Sequence, residues 1–161
     1  MLGRGVNSRM SIEQWMKHPV HCVKPLDSIV HAREIMEAHR VNQLPVVVDG
    51  RLVGIITDRD LRAAFPSVFE SPTFHERKAR GAATDPKTIT VEMVMTPHVL
   101  TLKPGESIVN AARLMRRERL GAVPVVDCER LVGIVTRSDV LDAFVEVAQR
   151  EAARESAGIE L

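Results

Sequence analysis

A chain of 161 residues that is 45% hydrophobic and 27% charged, with a formal net charge of +1, has the make-up of a globular domain and no excess charge to draw it onto nucleic acid. Aromatic residues make up 3% with no Tyr, too little for base stacking, and the mean hydropathy of −0.03 comes without any apolar run near the ~18 residues that span a bilayer. The first ten residues hold Arg4 and Arg9 but no apolar stretch of the kind a secretory signal needs, so the expected location is the cytoplasm; Cys22 and Cys128 are too few for a disulfide framework and are expected as free thiols.

The dominant feature is an internal repeat. Residues 11–65 align without a gap to residues 90–144 at a constant offset of 79, with 23 of the 55 pairs identical. A fixed-period self-match marks two copies of one supersecondary unit, and a copy of this length alone buries too little surface to be stable, so the two are expected to form one module. The expected divisions are a flexible N-terminus (1–10), a first repeat (11–65), a linker (66–89), a second repeat (90–147) and a helical extension (148–161).

In chain order, Ser11-Ile12-Glu13-Gln14 has the spacing of a capping box opening a short helix, and Thr90-Val91-Glu92-Met93 stands at the equivalent place without the Gln or Glu partner. Val20 to Val23 and Val99 to Leu102 read as short strands, each ended by Lys-Pro. From Asp27 or Ser28, apolar residues at Ile29, Ala32, Ile35 and Met36 recur at helical spacing, as do Ile108, Ala111, Leu114 and Met115. Leu44 to Val48 and Leu52 to Ile56 are Val- and Ile-rich strands split by Asp49-Gly50, a strong hairpin signal. The second copy has Cys128-Glu129 at that turn, a poorer match that predicts a longer or distorted connection. Pro66, Pro72 and Pro86 and the patch His75-Glu76-Arg77-Lys78-Ala79-Arg80 mark the linker, read as mainly solvated. The last helix runs on to Gly158 with an apolar stripe of Leu141, Phe144, Val145, Ala148 and Ala152, which predicts a packing partner.

Each copy ends with a strand running into Gly-aliphatic-aliphatic-Thr-x-x-Asp: Gly54-Ile55-Ile56-Thr57-Asp58-Arg59-Asp60 and Gly133-Ile134-Val135-Thr136-Arg137-Ser138-Asp139. A strand feeding a helix start leaves backbone N–H groups and the positive end of the helix dipole open to an anion, while Asp60 and Asp139 can accept from vicinal hydroxyls. Thr-x-x-Asp is also a capping box, and duplication would copy a cap as faithfully as a site. The glycine favours the site, because it permits a ligand to approach the backbone closely.

With its Leu-Pro-Val-Val strand, Leu-Val-Gly-Ile strand and Thr-x-x-Asp helix start, the repeat resembles the CBS domain, named for cystathionine β-synthase. The tandem resembles a CBS pair or Bateman module over residues 11 to about 147, and its size is similar to that of small stand-alone bacterial pairs, some of which carry acetoin-utilisation names. The resemblance implies an α+β fold of two β-α-β-β-α repeats, two small sheets flanked by helices with pseudo-twofold symmetry, which binds an adenosine-containing ligand between the repeats. One cleft would combine Thr57, Arg59 and Asp60 with Val99, Leu100, Leu120, Gly121, Ala122 and Pro124. The other would combine Thr136, Arg137, Ser138 and Asp139 with Val20, His21, Val41, Asn42, Gln43 and Pro45. Small apolar groups and Arg59 favour the Asp60 cleft over one holding His21, Asn42, Gln43 and Ser138.

The expectation is a regulatory, signal-transducing module for AMP, ADP, ATP, NAD or S-adenosylmethionine, without catalytic cofactor, catalytic residues or metal, and a homodimer whose regulated partner the sequence leaves unknown. His18, His21 and His31 lack ligand spacing for a metal, and Arg116, Arg117 and Arg119 read as a solvated helix face. No nucleophile elbow, Cys/His pair or Walker-type loop points to an enzyme. The rival readings are a ligand-free dimerisation scaffold, in which the motifs only cap helices, and a small nucleotide-processing enzyme.

Overall fold

The computed structural model describes residues 10–64 and 85–157; residues 1–9, 65–84 and 158–161, with most of the expected linker and its basic patch, lie outside the described residues. The chain divides into two compact units that cut across the repeats: His21–Val99, and Met1–Val20 together with Leu100–Leu161. The first will be called the Asp60 unit and the second the Asp139 unit.

In the Asp60 unit, Ser28 Oγ accepts from the His31 N–H and starts α1, Ile29–His39, which buries Ile29, Ala32 and Met36 as its spacing predicts. The helix stops at Arg40, in the left-handed region at φ 53°. The strands β1, Gln43–Val48, and β2, Arg51–Thr57, form an antiparallel hairpin, and β3, Thr96–Pro97, pairs antiparallel with β2 at Gly54 and Ile55. The helix α2, Asp58–Ala64, follows β2 directly. The Asp139 unit repeats this plan with α3, Ile108–Glu118, β4, Ala122–Asp127, β5, Arg130–Thr136, and α4, Arg137–Ala157. In place of β3 it has the single antiparallel bridge Lys17↔Ile134.

The two-residue turns agree with the sequence at one hairpin and differ at the other. Asp49 (φ 51°) and Gly50 (φ 80°) are both left-handed, as the tight turn suited to twisted strands demands. Cys128 (φ 45°) and Glu129 (φ 66°) make the same turn without lengthening it. The β4–β5 register forces the geometry, and two residues with side chains bear a cost of roughly 1–2 kcal/mol each.

Two expectations need correction. Val20–Val23 and Val99–Leu102 are not strands: each contributes one parallel bridge, Val23↔Val46 and Leu102↔Val125. Val23 N–H donates to Pro45 C=O (3.1 Å) and Val47 N–H to Val23 C=O (2.9 Å), but the next donors on either side would be Pro25 and Pro45, which have no N–H. Pro104 and Pro124 limit Leu102 in the same way. The second correction concerns the opening segments, Ile12–Gln14 and Val91–Met93, which are single 3-10 turns without a side-chain cap from Ser11 or Thr90. Their leading amides are satisfied elsewhere. Ile12 N–H donates to Glu106 C=O (2.8 Å) and Glu13 N–H to Pro104 C=O (3.0 Å), while Val91 and Glu92 N–H donate to Asp27 and Pro25 C=O (2.8 and 2.9 Å).

Each opening turn is therefore docked on the other repeat. Ile12 is fully buried in the core of the Asp139 unit with Ile108, Ala111, Met115, Val123, Val125 and Val135, and Val91 completes the core of the Asp60 unit. Ile12→Ala should cost about 2–5 kcal/mol, the usual range for an aliphatic truncation in a core. Hydrogen exchange should show the loss first at Val123 and Val125, more than a hundred positions away in the chain, and not at Leu44 and Val46.

Relief of the second hairpin is a separate test. Glu129→Gly should raise stability by about 1 kcal/mol in denaturant unfolding, since glycine adopts the left-handed region without a Cβ clash. The same change at Gly50 does not exist to be made, so the gain belongs to the second copy alone.

Candidate functional site

At the end of β2, Thr57 N–H donates to Asp60 Oδ2 (2.8 Å), Thr57 Oγ1 donates to the same oxygen (2.7 Å), and Asp60 N–H returns a bond to Thr57 Oγ1 (3.2 Å). This is a complete capping box for α2. Two of its three bonds end on Oδ2 and fill that oxygen's two lone pairs, which leaves Oδ1 of Asp60 unused. Among the described residues no cation is paired with Asp60. The capping function and a ligand-holding function thus use different oxygens of one carboxylate.

The end of β5 is built alike. Thr136 N–H and Oγ1 both donate to Asp139 Oδ2 (2.6 Å each), and Asp139 N–H donates to Thr136 Oγ1 (3.4 Å). Asp139 is 5% exposed, the one buried charged residue among those described. Its other oxygen is occupied: Lys17 Nζ lies 3.5 Å from Asp139 Oδ1.

The glycines ahead of these motifs do not face a ligand. Gly54 is buried, and a Cβ there would stand 2.6 Å from Met95 Sδ and 3.0 Å from Thr96 O; at Gly133 it would stand 2.8 Å from Met16 Cγ. The missing side chain makes room for the methionine of each docked opening segment, which corrects the reading that it admits a ligand.

The remaining expected site residues fall as follows. Asp58 N–H donates to Asn42 C=O (2.8 Å) and Gln43 pairs with Thr57, so Asn42 and Gln43 adjoin the Thr57 motif in their own repeat. Arg137 N–H donates to Gly121 C=O (3.2 Å), Arg137 Nε to Leu120 C=O (2.9 Å), and Ala122 pairs with Thr136. Arg137 is therefore tied to the β4 entrance. Pro45 and Pro124, expected as ligand contacts, are fully buried, and their carbonyls are taken by Val23 and Leu102. Val41 packs on the Asp60-unit core, and Ala122 is 5% exposed. Arg59, Ser138, Gly121, Asn42 and Leu100 are exposed, and Val20 and Val99 are half-buried. His21 stacks on His39 with ring centroids 3.5 Å apart and 15° between planes. Partial burial pushes the neighbouring Cys22 thiol up in pKa. Lys17 is the residue that sequence reasoning missed. Its signal was the mismatch of Lys17 with Thr96 between otherwise similar Met-x segments.

The pattern of elements has a known counterpart. The CBS domain family matches residues 12–67 and 91–146, once for each repeat, and this chain belongs to that family as a CBS pair. A CBS domain-containing protein of Dictyostelium discoideum is 34% identical over 143 residues, covering 88% of this chain and 95% of that one. Among solved structures, CBSX2 of Arabidopsis thaliana in complex with AMP matches with a TM-score of 0.69 at 28% identity, covering 86% of this chain and 98% of that one. The CBS domain pair of protein MJ0100, in complex with 5′-methylthioadenosine and S-adenosyl-L-methionine, matches with a TM-score of 0.65 at 29% identity, covering 84% and 96%. The α+β architecture of this chain is that of tandem CBS pairs. No helix among the described residues is long and apolar enough to cross a membrane.

Proposed function

We propose that this chain is a cytoplasmic regulatory module that binds an adenine nucleotide, with AMP as the reference ligand, and that it works without catalysing a reaction on it. The observation that carries the reading is the unused Oδ1 of Asp60, held at a strand end by the Thr57 capping box. A carboxylate oxygen with two open lone pairs suits a ribose hydroxyl, and the exposed Arg59 supplies a cation for phosphate. AMP in the related CBSX2 structure, and two adenosyl compounds in the MJ0100 pair, support this class of ligand.

Hydrogen bonds to a charged group are worth about 1.5–3 kcal/mol each. Asp60→Ala should therefore weaken AMP binding by about 10-fold to 150-fold in calorimetry. Unchanged affinity with a large fall in melting temperature would mean that Asp60 serves only as a cap and would favour the scaffold reading. Turnover of bound nucleotide, seen by chromatography of the mixture, would replace the regulatory reading with an enzymatic one.

The partner is a second copy of the chain. On α4, Leu141 is 63%, Phe144 69% and Val145 50% exposed, and neighbouring apolar groups of this size on a helix call for cover. Phe144→Asp should convert a dimer to a monomer in sedimentation at micromolar concentration, without loss of helicity. A wild-type chain that is monomeric there would remove the homodimer from the proposal.

A further inference from the structure

Lys17 stands where the first copy's partner segment has Thr96, and the two positions are structurally equivalent. Lys17 is held across from Ile134 by paired backbone bonds, Lys17 N–H to Ile134 C=O (2.8 Å) and Ile134 N–H to Lys17 C=O (3.1 Å). Thr96 pairs with Ile55 in the same antiparallel register, and Ile55 and Ile134 each lie two residues before the threonine of a Thr-x-x-Asp motif. The two opening segments thus place Lys17 and Thr96 at the same register position against the strand that leads into each motif. At Asp139 the Lys17 ammonium lies 3.5 Å from Oδ1, the single oxygen that the capping box leaves open. In the Asp60 unit the equivalent position is Thr96, which carries no charge.

We propose that Lys17 is a built-in lock on the second site: its ammonium holds the Asp139 oxygen that a ribose hydroxyl would need, so the two motifs bind adenine nucleotide with unequal affinity. The inference rests on the nucleotide reading above and adds to it the residue that sets which site fills first. At 60% side-chain exposure the lysine is free to swing into water, so the lock lowers affinity without abolishing it. Asp139 cannot escape the pairing by turning, because Thr136 fixes its other oxygen from two donors.

The test reads the Asp139 site by itself, in the full chain carrying Asp60→Ala, by titration with AMP. Adding Lys17→Thr, the residue of the other copy, should tighten the remaining binding event by about 5-fold to 10-fold or make it measurable, while Lys17→Arg should leave it weak, since either cation can pair with the carboxylate. The mirror change, Thr96→Lys in the otherwise wild-type chain, should weaken the stronger event. Unchanged affinity in Asp60→Ala with Lys17→Thr overturns the lock, and weaker binding there overturns it too, by showing that the ammonium meets the phosphate of the ligand. These outcomes leave the nucleotide reading standing, whereas a wild-type chain that gives no heat with AMP removes that reading and the lock together.

Discussion

Everything else in the molecule depends on the exchange of the two opening turns. Ile12 and Val91 are fully buried, each in a core built by the other repeat, and each turn sends its first two amides to carbonyls of the loop that leads into that repeat's first long helix. The hydrophobic term alone is worth about 1.5–3 kcal/mol for each side chain, and four backbone bonds would be left unmade without it. For a small unit that gain is a large share of a net stability of 5–15 kcal/mol. The two copies are therefore coupled in folding by their own chain, whatever the linker does. The constraint also explains the glycines, since Gly54 and Gly133 are the places where Met95 and Met16 of the docked segments come too close to the strand for a Cβ.

The same exchange sets the surroundings of the Asp139 carboxylate. The capping box is internal to each repeat, but the cation beside the open oxygen of Asp139 comes with the docked segment, held opposite Ile134, two positions before the threonine of the motif. A duplication of structure alone would have left like facing like. Divergence at one exposed position, Lys17 against Thr96, changes the charge at the carboxylate without touching the core, the cap or the ladder. Such a position is open to change because its side chain is 60% exposed while its backbone is fixed.

Much of this fold is legible in the sequence because its signals are local. The stripes of α1 and α3, the Ser28 start and the Asp49-Gly50 hairpin depend on neighbours within a few residues, and they stand where the pattern puts them. What was not legible depends on partners far along the chain. The strands expected at Val23 and Leu102 shrink to single bridges because the prolines opposite them, Pro45 and Pro124, lack the donor that a ladder needs. The Cys128-Glu129 turn is tight in spite of its residues because strands fixed by Ala122↔Thr136 and Asp127↔Arg130 leave no room for another. Local preference yields when tertiary register is worth more than the roughly 1–2 kcal/mol of a left-handed residue.

At the candidate site the sequence offered two readings of Thr-x-x-Asp, cap or ligand group, as though one excluded the other. Atom by atom they divide the carboxylate. Oδ2 serves the helix, with both bonds from threonine, and Oδ1 remains for whatever faces it. A carboxylate already fixed by two donors has little rotational freedom left to lose, so under the proposed nucleotide reading the cap would remove part of the entropic cost of binding. This also explains why a capping box can be kept in both copies while the two sites differ: the shared half of each Asp maintains the fold, and the open half is set by a residue that the fold leaves free to vary.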